Sequence, residues 1–169
     1  MEQSVESKLE FKNKLINFYN SNKIKIFLIV ILIIIFFTSF IFLKYKNEKE
    51  NSQIAEKYVK AGIYLASNKE NDARKIYEEI ILSKNKFYSI LSLNTIIEKN
   101  LISDKDIIIK YFDILEKTIS SQDQGDLIIL KKALFLIKVS DIQNGNNLLK
   151  SLADKDTIIK PIVQDLLKK

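Results

Sequence analysis

The chain lacks cysteine, histidine and tryptophan, and it has only three glycines and one proline among 169 residues. Without cysteine there can be no disulfide, no thiolate nucleophile and no cysteine-liganded zinc. Without histidine, Ser-His and Cys-His nucleophile systems are excluded and the commonest metal ligand is missing. The glycines are isolated from one another, which excludes a glycine-rich phosphate loop.

The remaining groups that could carry chemistry are carboxylates and hydroxyls. Glu78-Glu79 and Asp104 with Asp106 fall at predicted solvent-facing or helix-capping positions, so we interpret them as surface residues. A Ser-Lys dyad is compatible with the composition, but no spacing points to one. We therefore predict that the protein is not an enzyme. We also expect no catalytic residue, no cofactor, no metal site and no small-molecule substrate.

Arginine occurs once, at Arg74, although the net charge is +6. Lysine supplies the other basic residues, and lysines are interspersed with acidic residues along the chain. Lysine, isoleucine and asparagine are all read from A- and T-rich codons, so codon bias accounts for their frequency without a selected basic patch. Arginine is the residue best suited to bidentate phosphate recognition. We therefore predict no nucleic-acid partner.

One long apolar run stands out near the start, at residues 26–43, with the sequence IFLIVILIIIFFTSFIFL. These 18 residues correspond to about 27 Å of helix, close to the roughly 30 Å hydrocarbon core of a bilayer. Lysines flank both ends and can extend their ammonium groups into the headgroups; they are Lys23, Lys25, Lys44 and Lys46. The run predicts a single transmembrane helix.

Two alternatives to a transmembrane helix are less favoured. A cleaved signal peptide has a shorter apolar region followed by small residues at the cleavage site, whereas Leu43-Lys44-Tyr45-Lys46 follows here. A buried core helix is seldom apolar on every side in so small a domain. The short flank that the positive-inside rule can assess is the segment before the apolar run, residues 1–25, which carries five lysines. We therefore predict a cytoplasmic N-terminus and a C-terminal domain on the other side.

The expected organisation has four parts. Residues 1–23 form a cytoplasmic tail, residues 24–43 the transmembrane helix, residues 44–52 a charged linker or helical continuation, and residues 53–169 one small domain. The tail has apolar residues with helical spacing at Phe11, Leu15, Phe18 and Tyr19. It is either an amphipathic helix in the headgroup region or a disordered segment.

Helical periodicity dominates the C-terminal domain, whereas clean alternation typical of strands is hard to find, even around Ile107-Ile108-Ile109. We predict an all-α fold. A first inner stripe is expected at Ala55, Tyr58, Val59, Gly62 and Ala66, and a last one at Ile159, Ile162, Val163 and Leu166. Asp72 and a Ser103/Asp106 capping box are expected to begin helices, and Pro161 to lie in a first turn. The expected helices cover 55–66, 72–81, 87–99, 103–118, 126–140, 146–153 and 156 onward, with 119–125 a loop.

Pairs of short helices recurring every 35 to 40 residues predict stacked α-hairpins. The first pair resembles a tetratricopeptide repeat (TPR). Ala61-Gly62 lies where that motif has Leu-Gly, Tyr58 lies near its aromatic position, and Ala73 with Tyr77 resembles the Ala-x-x-x-aromatic of its second helix. The spacing from Gly62 to Ala73 is one residue shorter than the usual motif. The resemblance implies a TPR-like solenoid of about three hairpins, with Gly62 and Ala73 at a close helix crossing.

The whole layout resembles the bacterial ancillary subunit of the SecYEG translocon, a family with one N-terminal span and a periplasmic TPR-like domain. The segment from Phe87 to Leu93 is similar to the family's aromatic-x-x-Leu-x-Ser-Leu motif. The resemblance implies a bacterial inner-membrane protein with a periplasmic domain. It would be an interaction scaffold whose partners are translocon subunits, periplasmic chaperones or an emerging polypeptide. The residues that would bind them are not identified by the sequence.

A second hypothesis is a structural one. A single span followed by charged helices also describes the peripheral-stalk subunit of an ATP synthase. That subunit needs a long, nearly uninterrupted coiled-coil helix, however, and the breaks predicted at 67–72, 100–103 and 119–125 argue against it.

Overall fold

A computed structural model of the chain describes residues 2–168, except for the side chains of residues 2–11, Leu15, Tyr19, Ile26 and Val30. Within residues 2–168 the backbone forms α-helices and no strand, which confirms the all-α prediction. The helices are α1 (Glu2–Ala66), α2 (Glu70–Leu82), α3 (Tyr88–Glu98), α4 (Lys105–Thr118), α5 (Gln122–Lys138), α6 (Ile142–Ala153) and α7 (Lys160–Leu166).

The chain divides into two compact units, Met1–Glu50 and Asn51–Lys169. The first contains a helical segment that is long and apolar enough to cross a membrane, judged by length and composition. The most apolar 18-residue window of that segment has a mean hydropathy of 3.3 and none of it is buried. The Thr38 hydroxyl donates to the carbonyl oxygens of Ile34 and Ile35, at 2.9 and 3.0 Å, so this polar group is satisfied within the helix.

The charged segment at 44–52 is helical. Of the two alternatives, a linker or a helical continuation, the second is therefore observed. Salt bridges between residues four apart, Lys44 with Glu48 and Lys46 with Glu50, lie on its exposed surface. The proposed amphipathic face of the tail rests on Phe11, Leu15 and Tyr19, whose side chains lie outside the described ones.

In the second unit, three helix-to-helix turns are closed in the same way. Each contains a non-glycine residue in the left-handed region: Asn68, Asn100 and Ser140, with φ of 58°, 50° and 67°. The next residue donates its N–H to a carbonyl five residues back, which is the Schellman pattern that ends helices. These bonds are Lys69 to Tyr64 (2.9 Å), Leu101 to Ile96 (3.0 Å) and Asp141 to Leu136 (2.9 Å).

The first and third of these turns are flanked by buried small residues at matching positions. Ala61 and Ala73 lie seven residues before and five residues after the left-handed residue of the first turn, and Ala133 and Gly145 lie at the same distances from that of the third. All four residues are buried. At the second of these pairs the helices nearly touch, because a Cβ on Gly145 would lie 2.8 Å from the Ala133 carbonyl oxygen.

The middle turn differs. Its corresponding residues are Leu93, which is buried, and Lys105, which is exposed. The turn geometry thus recurs in three consecutive α-hairpins, and the buried pair of small residues recurs in two of them.

Three hydrogen bonds join residues that are 34 positions apart. They run from Asn85 Nδ2 to Asn51 Oδ1 (2.6 Å), from Lys86 Nζ to Ser120 Oγ (3.2 Å) and from Gln122 Nε2 to the Asp156 carbonyl oxygen (3.3 Å). All three connect the segments that lead into successive hairpins.

Two hydrophobic clusters form the core. The larger extends from α1 to α5 and includes Tyr77, Ile80, Leu93 and Phe112. The smaller joins α5, α6 and α7 through residues such as Leu130, Leu149 and Val163. Because α5 contributes to both clusters, its apolar composition follows from packing on two sides.

Several predicted helix ends were wrong. Helix α2 begins at Glu70, two residues before the predicted N-cap Asp72, and Asp72 therefore lies inside the helix. No side chain caps the first-turn N–H groups of α2. Asp104, not Ser103, caps α4, since its Oδ1 accepts the Asp106 N–H at 2.9 Å. Gly125 and Gly145 lie inside helices rather than before them. The last helix begins at Lys160 instead of 156, with Pro161 in its first turn as predicted.

The predicted inner stripes were also wrong in part. Val59 and Ile162 are 61% and 57% exposed. Ala66 is exposed as well. A Cβ on Gly62 would meet nothing within 4 Å, so this glycine does not lie at a close crossing. Ala61, which is fully buried, takes that position, and its spacing to Ala73 is one residue longer than that of Gly62.

Candidate functional site

A groove of about 300 Å³ lies between α3 and α5, with α4 beneath it. Its walls come from the exposed sides of two helices whose opposite sides are in the core. In α3, for example, Leu93 and Ile96 are buried while Asn94 and Glu98 face the groove. We call this feature the α3/α5 groove; its lining residues are Asn94, Ile97, Glu98, Phe112, Lys131, Leu134, Phe135 and Lys138.

Two aromatic rings form the floor of the groove. Phe112 and Phe135 are 2% and 8% exposed, and their ring centroids are 6.0 Å apart. Both rings belong to the core, so the floor is held in place by packing rather than by the groove's own walls. The floor is therefore an apolar surface already formed in the absence of any ligand.

Neighbouring lysines on α5 have different surroundings. Lys132 lies between α5 and α4, where its Nζ contacts Asp113 Oδ1 at 2.6 Å and Glu116 Oε1 at 2.9 Å. Burial alone would lower the pKa of Lys132, but the hydrogen bonds and the attraction from both carboxylates outweigh it and raise that pKa above its ordinary value. Lys132 is therefore a structural cation.

Lys131, one residue earlier, points to the groove because successive helical residues are rotated by about 100°. Its Nζ donates to Asn94 Oδ1 at 3.0 Å, a neutral acceptor on α3. This bond connects the two walls, and Lys131 forms no salt bridge among the described side chains. The protein thus pairs one of two adjacent lysines with carboxylates and gives the other, at the groove, a neutral partner.

The exposed side of α5 carries apolar and basic residues in alternation. Leu127, Lys131, Leu134 and Lys138 follow each other at spacings of four, three and four residues, so they form one row along the helix. Leu127 and Leu134 are 44% and 41% exposed. This is a considerable exposure for large apolar residues on a helix whose other sides are packed in the core.

A second depression of about 180 Å³ lies near the first turns of the same two helices. It is lined by Lys86, Phe87, Ile90, Leu91 and Gln124. Phe87 is 63% exposed, and the Lys86 ammonium donates only to the Ser120 hydroxyl in the described contacts. This depression resembles the α3/α5 groove, because both combine exposed apolar side chains with a lysine whose hydrogen-bond partner is neutral.

The described side chains contain no group of three Asp or Glu residues that could hold a metal ion. Among the groove residues, the titratable groups are Glu98 and two lysines, and no nucleophile lies beside a base. The arrangement can bind a molecule through apolar contact and positive charge.

No site residue was named from the sequence, and the groove residues were missed. The row on α5 follows an i, i+4, i+7, i+11 pattern in the sequence, but α5 is apolar on several sides, so spacing alone does not distinguish its exposed leucines from its buried ones. A usable signal was the Lys131-Lys132 pair, since adjacent lysines on a central helix must face different directions.

Comparison with known proteins gives no assignment. No family model matches the chain, and neither the curated proteins nor the solved structures contain a significant match to it. The basis for a functional conclusion is therefore the geometry of the groove and the helix that could cross a membrane.

Proposed function

We propose that the protein is a membrane-anchored scaffold whose α3/α5 groove binds a segment of another protein. The observation that carries this proposal is the groove itself, which has a preformed apolar floor and an exposed leucine, Leu134, in its wall. Exposed apolar surface of this kind in a packed domain is typical of interaction sites.

We propose further that the hairpins form a TPR-like solenoid. Support comes from the three Schellman turns and from the buried pairs Ala61/Ala73 and Ala133/Gly145, which lie at matching positions in the first and third hairpins. The position of Ala61 relative to Ala73 also restores the usual spacing of the motif, which the Gly62 alignment had left one residue short. Solenoids of this type expose the outer sides of alternate helices, as α3 and α5 do here.

The proposed location is the bacterial inner membrane, with the N-terminus in the cytoplasm and residues 51–168 in the periplasm. The lysines of the tail support this orientation. Protease added to spheroplasts should then degrade the C-terminal epitope while a cytoplasmic marker survives. Protection of that epitope until the membrane is permeabilised would reverse the orientation.

The proposed partners are subunits of the Sec translocon, periplasmic chaperones or a polypeptide emerging from the translocon. Anchoring the scaffold in the same membrane raises its effective concentration near such a complex, so tight intrinsic affinity is not required.

A photo-crosslinking amino acid at position 134, in the groove wall, tests the partner in living cells. A matched control places it at position 75, an exposed site on α2. We expect crosslinks to translocon or chaperone components from position 134 and few from position 75. If affinity purification and crosslinking in a functional strain both yield neither class of protein, the proposal is wrong.

A stalk subunit of an ATP synthase is the less favoured proposal. Such a subunit needs a long helix beyond its membrane segment. Residues 67–168 instead contain separate helices of 7 to 17 residues, joined by tight turns and packed around two cores.

A further inference from the structure

We propose that the α3/α5 groove selects polypeptide segments in which acidic residues are interleaved with large apolar ones. This inference rests on the proposed function, because it specifies what the scaffold binds. Its occupant is an extended segment of a different protein. The charge of the groove, its apolar surface and the spacing between the two favour such a segment.

The charges at the groove are mainly positive and are not neutralised internally. Lys131 donates to an amide oxygen, and Lys138 has no salt bridge among the described side chains. Glu98 is the one carboxylate among the lining residues. Lys86, in the neighbouring depression, adds a third ammonium group with a hydroxyl partner.

Elsewhere the fold pairs its lysines when they lie near the core or between helices. Lys132 contacts two carboxylates, and Lys155 contacts the buried Asp126 at 3.1 Å. Lysines at the groove differ because their positive charge is available to a ligand. Carboxylates on a binding segment would supply the missing counter-charges, which favours acidic over neutral or basic ligands.

The apolar surface at the groove is recessed and is not a flat patch. Phe112 and Phe135 lie at the bottom with 2% and 8% exposure, while Leu134 stands in the wall at 41%. A single large side chain can reach such a floor, but the planar surface of a bilayer cannot. The shape thus favours a polypeptide over anionic lipid headgroups, which the lysines alone would also attract.

The spacing of the row on α5 indicates how acidic and apolar residues should alternate. Lys131 and Lys138 are two helical turns apart, or about 10.5 Å along the axis, with Leu134 between them. A chain in the extended polyproline II conformation covers about 9 Å in three residues and, with three residues per turn, brings side chains three positions apart to the same side. Carboxylates three positions apart, with a leucine or phenylalanine between them, would therefore meet both lysines and place the apolar side chain at the groove.

Binding of synthetic peptides to the full chain tests this selectivity. The chain is held in nanodiscs of zwitterionic lipid, and binding of fluorescent peptides is followed by anisotropy. One peptide has Asp or Glu at every third position with Leu and Phe between; the others replace the acids with Asn and Gln, or with Lys. We expect the acidic peptide to bind at least about tenfold more tightly than the amide peptide at low salt. The advantage should shrink at high salt because the charges are screened.

Charge reversal of the groove provides the decisive variants. K131E/K138E should lose the preference for the acidic peptide and gain one for the lysine peptide. The matched control, K75E/K110E, makes the same change in net charge at exposed positions on α2 and α4, and it should keep the original preference. Because Lys131 also joins α3 to α5, K138E alone is tested too, and we expect it to lose part of the preference without affecting the fold.

Four results would overturn the inference. Equal affinity for acidic and amide peptides would do so, as would an equal loss in the control variant. Capture of anionic vesicles that depends on Lys131 and Lys138, with no competition by the acidic peptide, would assign the groove to lipid. A change of oligomeric state in K131E/K138E, measured by light scattering, would assign it to a second copy of the chain.

The inference and the proposed function fail in distinguishable ways. If crosslinks from position 134 to a partner persist but peptides show no acidic preference, the scaffold proposal stands and the selectivity is wrong. If the peptides show the preference but no partner is found in cells, the groove is an acidic-segment site in a protein whose proposed role is wrong.

Discussion

At the residue scale, Tyr111 on α4 has an unusual ionisation. Burial, the negative charge of Glu78 and a hydrogen bond with that carboxylate raise the pKa of Tyr111 to about 12, and Arg74 acts in the opposite direction. The folded chain therefore keeps this proton above pH 10, where an ordinary tyrosine begins to lose it. Its contribution to stability is fully present below about pH 10 and disappears as the pH rises towards 12.

Glu78→Gln should lower the pKa of Tyr111, because the variant removes the negative charge that opposes tyrosinate. The measurement is the ultraviolet absorbance of tyrosinate during an alkaline titration, compared with Tyr111→Phe to identify the signal. Glu79→Gln is the matched control, since Glu79 is the next residue and pairs with Lys57 at 3.0 Å. A titration unchanged in Glu78→Gln would contradict this assignment.

Lys84 occupies the left-handed region with φ of 58°, directly after α2. This conformation disfavours a lysine and costs a glycine little. We expect Lys84→Gly to raise the free energy of unfolding by about 0.5–1 kcal/mol, since part of the relief is offset by the greater freedom of unfolded glycine. Near-ultraviolet circular dichroism of the full chain during urea unfolding measures it.

Asn100→Gly serves as the comparison for that variant. Asparagine tolerates the left-handed region better than lysine does, and Asn100 has φ of 50°. Its replacement should change stability less than Lys84→Gly. A larger gain at Asn100 than at Lys84 would show that backbone strain is not the relevant term.

At the element scale, the crossing of α5 and α6 depends on a missing side chain. A Cβ at position 145 would lie 2.5 Å from Ile137 Cγ1 and 2.8 Å from the Ala133 carbonyl oxygen. Because a backbone atom is involved, the helices must separate to admit it. Gly145→Ala should therefore lower the free energy of unfolding by about 1–3 kcal/mol, measured by the same urea unfolding.

Gly125→Ala is the opposite case. Position 125 lies in the first turns of α5, and a Cβ there would meet nothing within 4 Å. Alanine should raise stability by about 0.5–1 kcal/mol, since it has the higher helix propensity. If Gly125→Ala also lowers stability, the expected gain from helix propensity is wrong. If Gly145→Ala does not lower stability, the close crossing is not a constraint.

These two glycines also show where sequence reasoning works and where it fails. Periodicity correctly indicated an all-helical domain, because the buried face of any helix repeats apolar residues every three or four positions, whatever packs against it. The expected helices began after Gly125 and Gly145, yet Gly145 is required inside a helix because the neighbouring helix approaches so closely. The helix ends at Asn68 and Asn100, by contrast, fall within the breaks predicted at 67–72 and 100–103, although both are left-handed without glycine.

The groove was less predictable than the fold. Whether Leu134 belongs to a core or to a wall depends on which helix packs beside it, and local spacing does not contain that information. The prediction that Val59 and Ile162 are buried was wrong for the same reason. Apolar residues next to an inner stripe are exposed or buried according to how far the neighbouring helix extends.

At the scale of the whole molecule, the helix that could cross a membrane provides the remaining test. Ile33 and Phe36 are exposed on the apolar segment. Lysine at both positions should cost about 2.5–3.5 kcal/mol each for insertion. I33K/F36K should therefore move the chain to the soluble or aggregated fraction after alkaline extraction of membranes.

The control for this variant replaces Glu48 and Glu50 with lysine. These glutamates lie beyond the apolar run and form exposed pairs with Lys44 and Lys46. E48K/E50K should remain in the membrane fraction. If I33K/F36K remains there as well, the segment is not a membrane-spanning helix.

The hydrogen bonds between residues 34 positions apart indicate how such a chain could be lengthened by duplication of a repeat. Lys86 and Ser120 meet at 3.2 Å, so the segment 86–119 begins and ends at nearly the same place in the fold. A tandem duplication of this segment in the gene would start a new hairpin where the old one finishes. The second Lys86 would follow Ile119, at the place where Ser120 now contacts the first Lys86. The duplicated helices would bring with them a second copy of the α3 wall.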